Sequence, residues 1–102
     1  FFNQRGCVLF MNKKNIENLS AAIKGIAHPL RLQIVMGLLH KKNCNVNTMS
    51  EKLGIPQPSV SQHLTILKNC KVISGERTGN QICYFLSNDD IRKMLMAVAE
   101  TV

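Results

Sequence analysis

A mostly α fold with one β-hairpin, in the order α-α-α-α-β-β-α, is what three features of the sequence predict. Apolar residues recur at helical spacing through the first two-thirds of the chain and again at its end. The period changes to that of strands only between residues 72 and 86. The apolar complement is almost wholly aliphatic, with aromatics at 5% and no Trp. Hydrophobic residues make up 45% of the 102, which suits a folded globule and excludes a disordered tail. A chain of this length supplies one core, so one domain is expected.

The first helix, over about 12 to 26, is read from Ile16, Leu19, Ile23 and Ile26, with Lys13, Lys14 and Lys24 off the apolar stripe. His28-Pro29 opens the second, because Pro at a first helical position lacks only an amide that would be unpaired anyway. Leu30, Ile34, Val35, Leu38 and Leu39 line its inner face to about residue 40, and Lys41-Lys42-Asn43 closes it with cations at the negative end of the helix dipole. Asn45 is the N-cap of a short third helix with Val46, Met49 and Leu53 on one face and Gly54 just past its end. The Gly54-Ile55-Pro56 break leads into a fourth helix, Gln57 to Asn69, with Val60, Leu64 and Leu67 inward and Pro58 tolerated in the first turn. Val72 to Arg77 and Ile82 to Leu86 flank a Thr78-Gly79-Asn80-Gln81 turn as a hairpin. Ser87-Asn88-Asp89-Asp90 caps a last helix whose face is Ile91, Met94, Leu95 and Val98.

Helices three and four, joined by a short Gly-containing turn, form a helix-turn-helix, and the hairpin that follows makes it a winged helix. Such a fold places its second motif helix in the major groove of duplex DNA and its wing on the neighbouring backbone. Gln57, Ser59, Ser61 and Gln62 offer hydrogen-bonding groups from the first turns of that helix, while Arg77, Asn80 and Gln81 arm the hairpin tip. Thirteen Lys+Arg against six Asp+Glu leave a net charge of +7, the sequence-independent attraction that phosphates require. Lys41, Lys42, Lys52, Lys68 and Lys71 are spread over several elements, so the charge supports this reading without deciding it. His63 is open between a phosphate contact and a core-edge residue bonded to a carbonyl. No nucleophile-base-acid set, phosphate-cradling Gly loop or paired catalytic carboxylates can be assembled, which excludes the usual enzyme classes. The rival readings are a winged helix used as a protein-interaction module and a repressor that works without an effector.

The apolar runs, Cys7 to Met11 and Ile34 to Leu39 among them, fall far short of the roughly 20 residues that cross a bilayer. Residues 1 to 11 are read as an N-terminal extension, not necessarily native, because Met11-Asn12-Lys13-Lys14 resembles an ordinary start; the domain is expected over 12 to 102. The cysteines at 7, 44, 70 and 83 make no C-x-x-C pair, which suits a reducing cytoplasm.

His28-Pro29-Leu30-Arg31-Leu32 with Ile34-Val35, then Gln57-Pro58-Ser59-Val60-Ser61-Gln62-His63-Leu64, then Tyr84-Phe85-Leu86-Ser87 resemble the ArsR/SmtB family of bacterial repressors. The resemblance covers about residues 16 to 98. It implies a homodimeric winged helix-turn-helix repressor that occupies an operator and leaves when an effector binds. It also implies that Gln57, Ser61 and Gln62 face bases, with Ser59, His63 and Arg77 on the backbone. Terminal helices with apolar stripes suit the two-fold interface of such a dimer, whose recognition helices would meet an imperfect inverted repeat with half-sites about 34 Å apart.

The family's metal positions are not filled by metal ligands in this sequence. Its C-V-C pair falls on Asn45-Val46-Asn47, and neutral amides are poor ligands for thiophilic ions. At the second site Asp90 is kept, Arg92 stands for a His, and two further His positions fall beyond Val102. No metal or cofactor is therefore expected. A thiol switch drawn from Cys44, Cys70 and Cys83 is favoured over a metal signal, with other effectors or none left open, and Cys44 is foremost because Lys41 and Lys42 would favour its thiolate. Cys70 at a helix end and Cys83 in a strand read first as small hydrophobes, the common fate of free cysteine.

Overall fold

Each helix but one starts where a side chain satisfies its first free amides. The computed structural model describes residues 12–42 and 44–101, so the extension expected over 1 to 11 lies outside the described residues. Asn12 Oδ1 accepts from Lys14 N at 2.8 Å to open α1 (Lys13–Ile26). The ring nitrogen Nδ1 of His28 accepts from Leu30 N at 3.1 Å to open α2 (Pro29–Leu39), with Pro29 in the first turn. Asn45 Oδ1 accepts from Thr48 N at 2.8 Å at α3 (Val46–Leu53). The exception is α4 (Gln57–Asn69), which starts behind Pro56 with no side-chain cap. After the hairpin of β1 (Ile73–Thr78) and β2 (Gln81–Leu86), Asn88 Oδ1 accepts from Ile91 N at 3.1 Å and opens α5 (Asp89–Thr101).

Three helix ends turn through a left-handed residue, and only one of them is the glycine that favours this. Gly54 takes φ 68, whereas Lys41 and Lys71 take φ 57 and 64. Lys71 closes α4 in a Schellman arrangement, with Val72 N bonded to Leu67 O at 3.0 Å and Lys71 N to Lys68 O at 3.1 Å. A left-handed non-Gly residue costs about 1–2 kcal/mol, partly offset by the entropy a glycine would lose on folding. Lys71→Gly is therefore expected to stabilise the domain by about 0.5–1 kcal/mol, read as a rise of a few degrees in melting temperature. A lower melting temperature would mean that the Lys71 side chain supports this corner.

The two strands pair antiparallel from Ile73↔Leu86 to Thr78↔Gln81. The turn expected over four residues tightens to Gly79-Asn80, since Gly79 at φ 63 lets a two-residue connection close while Thr78 and Gln81 stay in the ladder. Ile73 and Leu86 are buried at the base of the wing, and the outer part of β1 stands in solvent.

Ala22 and Ile26 of α1, Ile34, Val35 and Leu38 of α2, Met49 of α3, and Val60, Leu64 and Leu67 of α4 form one core with the hairpin base and with Ile91 and Leu95 of α5. Two expected stripes divide. On α1 the inner edge is Ala22, Gly25 and Ile26, while Ile16 and Ile23 are exposed. On α5 Ile91 and Leu95 go inward, and Met94 and Val98 are exposed. Close packing causes the first division: a Cβ at Gly25 would stand 2.2 Å from Cys70 Sγ, so α1 lies against α4 along its small residues. Helices α1 and α5 also touch each other.

Candidate nucleic-acid interface

With Val60, Leu64 and Leu67 fully buried, helical geometry turns the rest of α4 outward. Gln57, Ser61 and Gln62 are exposed, and so is Thr65, one turn beyond Ser61. Thr65 was not singled out in the sequence, although its i+4 spacing from Ser61 places it on the same face; its hydroxyl donates to Ser61 O at 2.9 Å. Ser59 is half-buried, so less of its hydroxyl is open to a partner.

Gln57 does not stand alone. Its amide nitrogen donates to Asn47 Oδ1, which joins the first residue of α4 to α3 and sets the direction of the Gln57 side chain. Asn47 has no signal of its own in the sequence, because the bond spans a tight turn between two elements. At the wing, Arg77, Asn80 and Gln81 are all exposed. Asn80 and Gln81 meet the start of α3 across a cleft of about 240 Å³, lined by Asn45, Val46 and Asn47 on one side and by Ile82 and Tyr84 with them on the other. Wing tip and motif are thus held near one another at the beginning of α3.

His63 lies on the inner side of this face. Its ring centroid is 4.9 Å from that of His28, and its Nδ1 is 3.4 Å from an Arg31 guanidinium nitrogen. Arg31 Nε in turn donates to Gly25 O at 2.6 Å, so one guanidinium links the end of α1, the start of α2 and α4. Burial first, then the charges of His28 and Arg31, hold the His63 pKa below its ordinary value. The unfolded chain therefore binds a proton at His63 at a pH where the folded chain does not, and this contribution to stability is complete above about pH 6.5 and fades as pH falls below it. The drop in melting temperature between about pH 7.5 and about pH 5.5 is expected to be smaller in His63→Gln than in the unaltered chain. Equal drops would remove His63 as the source.

Among the described residues the cysteines separate into a pair and a single. Cys44 and Cys83 sit together where the loop before α3 meets β2, with Tyr84 N donating to Cys44 O at 2.8 Å. Cys70 lies elsewhere, against Gly25, its thiol donating to Leu67 O at 3.4 Å and its pKa raised by burial. Asn45 caps α3, Asn47 holds Gln57, and Arg92 donates to Leu86 O and pairs with Asp89. Among the described residues no group of three or more His, Cys, Asp or Glu could hold a metal ion. Among them, too, no helix is long and apolar enough to cross a membrane.

A family model described as "Bacterial regulatory protein, arsR family" matches residues 28–75, from the cap of α2 into β1. The HTH-type transcriptional repressor SmtB of Mycobacterium tuberculosis is 36% identical over 93 residues, 88% of this chain and 68% of that protein. This chain belongs to the ArsR family. The transcriptional repressor PagR of Bacillus anthracis is 35% identical over 81 residues, 79% of this chain and 81% of PagR. The PagR crystal structure matches this ArsR-family chain with a TM-score of 0.76 at 33% identity, covering 83% of this chain and 97% of that one. Mb0332 from Mycobacterium bovis, described as a homodimeric winged helix-turn-helix DNA-binding domain, matches with a TM-score of 0.76 at 20% identity, over 86% of this chain and 81% of that one, which bears on the fold. Both relatives are named as transcriptional repressors.

Proposed function

We propose that this ArsR-family chain is a homodimeric, sequence-specific DNA-binding repressor, with bases read from α4 and the DNA backbone held by the wing. The observation that carries this reading is the exposed polar face of α4, Gln57, Ser61, Gln62 and Thr65, backed by a fully buried Val60, Leu64 and Leu67. A protein-interaction module would present an apolar face there. Ser59 and Arg77 are assigned to the DNA backbone, Asn80 and Gln81 to the wing contact, and His63 to holding α4 through Arg31.

The dimer is assigned to α1 and α5, whose adjoining outer faces expose Ile16, Ile23, Met94 and Met96; Mb0332 is described as homodimeric. Two copies present two recognition helices, so the operator is an imperfect inverted repeat with half-sites about 34 Å apart. The signal is assigned to thiols rather than metal, because Asn45, Asn47 and Arg92 are each occupied in bonds that organise the fold.

The test is an anisotropy titration of the duplex upstream of the gene, beside a scrambled duplex, over a series of salt concentrations. Tighter binding to the upstream duplex is expected, with affinity falling steeply as salt rises. Arg77→Ala is expected to weaken both duplexes alike and to reduce the salt slope by about one. An unchanged slope takes the wing out of the interface, and equal affinity for both duplexes overturns sequence-specific repression.

A further inference from the structure

The contact between Cys44 and Cys83 joins segments 39 residues apart in sequence, the loop before α3 and strand β2 of the wing. The carbonyl of Cys44 accepts from Tyr84 N at 2.8 Å, and Cys83 directly precedes Tyr84. The two backbones therefore lie side by side at hydrogen-bonding distance, which places Cys83 beside Cys44. Both thiols are free and half-buried, so neither is sealed in the core. A side-chain hydrogen bond with Cys44, then burial, then the charges of Cys44 and Glu76 raise the Cys83 pKa. Cys70, under Gly25, is not part of this contact.

We propose that Cys44 and Cys83 are a reversible dithiol–disulfide pair, oxidised by a hydroperoxide, which staples strand β2 of the wing to the segment entering α3 and weakens operator binding. For its consequence this rests on the repressor function above; for its chemistry it does not. The Cys44 thiolate attacks the outer peroxide oxygen, breaking the O–O bond, leaving a sulfenic acid on Cys44 and releasing an alcohol, or water from hydrogen peroxide. Cys83 then displaces the sulfenic oxygen as water and forms the S–S bond. In sum two thiols lose two electrons and two protons, and one peroxide is reduced to alcohol and water. A low-molecular-weight thiol reverses the step by exchange.

A disulfide of about 2.05 Å is shorter than any thiol–thiol hydrogen bond, so closing it draws β2 toward the start of α3. Room for that movement exists in the cleft of about 240 Å³ beside the pair. The walls that approach are Asn80 and Gln81 of the wing and Asn47, the residue that holds Gln57. One bond thereby shifts the wing tip and a base-reading side chain together.

The test treats the reduced full chain with hydrogen peroxide, blocks remaining thiols with N-ethylmaleimide, and maps the peptides by mass without reduction. A linked Cys44–Cys83 peptide pair, about 2 Da lighter than its separate thiols and released by dithiothreitol, is expected. Operator affinity should fall roughly tenfold on oxidation, within the ordinary range of coupling between two sites. Cys70→Ser should respond as the unaltered chain does, whereas Cys44→Ser and Cys83→Ser should bind alike before and after peroxide. Cys44 linked elsewhere, oxidation without a link, or a link that leaves affinity unchanged overturns the proposal. The map needs no DNA, so the two readings fail separately: reduced protein that binds no duplex overturns repression, and a missing link overturns the pair.

Discussion

Leu67→Ala is expected to destabilise the domain by about 2–5 kcal/mol, a large part of the roughly 5–15 kcal/mol that holds a domain of this kind folded. Leu67 has no exposed surface and belongs to the core that α4 shares with the other helices and the hairpin base. Removing most of its side chain loses the transfer free energy and leaves a cavity that these elements cannot all close around. The neighbouring Ile66 supplies the control, since it is 42% exposed on the other side of the same helix. Ile66→Ala should cost less than about 1 kcal/mol, because most of what it removes is already in water. Urea unfolding of the two variants reads the difference directly. Similar midpoints would mean that α4 is rotated about its axis, and the polar face assigned to DNA would rotate with it.

The strength of that comparison comes from how much of α4 is legible in the sequence. Val60, Leu64 and Leu67 repeat at helical spacing, and a helix that buries one face must turn the opposite one outward. The same logic locates the caps: Asn45 and Asn88 are residues whose short side chains reach back to a free amide, and both do so. Gly79 marks the hairpin turn for the same local reason, although a glycine does not by itself say whether two residues or four are used.

Periodicity has less to say where an apolar stripe serves two neighbours. Ile23 and Ile26 of α1 read alike in sequence, yet one is exposed and the other buried, because Gly25 lets Cys70 pull α4 against the narrow edge of the helix. The division of α5 into Ile91 and Leu95 inward and Met94 outward has the same origin, since the face a neighbour covers is a property of the packed pair. Contacts between distant segments leave no periodic trace at all. The bond from Gln57 to Asn47, the link from Arg31 to His63 and the meeting of Cys44 with Cys83 each join residues whose separate spacings are unremarkable. These are the connections that position the candidate site, and they emerge only once the turn at Gly54 and the hairpin fold the chain back on itself.

Gln62→Ala is expected to weaken binding to the operator by about 1–3 kcal/mol, roughly ten- to a hundredfold, while leaving affinity for scrambled duplex nearly unchanged. Gln62 is exposed on the outer face of α4, one residue beyond Ser61 and within the first two turns, where a recognition helix meets base edges. Its amide carries both a donor and an acceptor, so it can bond an adenine through two contacts at once, and losing both removes discrimination rather than charge. The contrast with Arg77→Ala separates two kinds of contact by the salt series alone. A lost phosphate contact lowers the slope on every duplex, whereas a lost base contact leaves the slope and lowers only the specific affinity. Folding does not confuse the result, because shortening an exposed Gln costs within about 0.5 kcal/mol of stability. Equal loss on both duplexes would make Gln62 a backbone contact and move base reading to Ser61 and Thr65 on the same face.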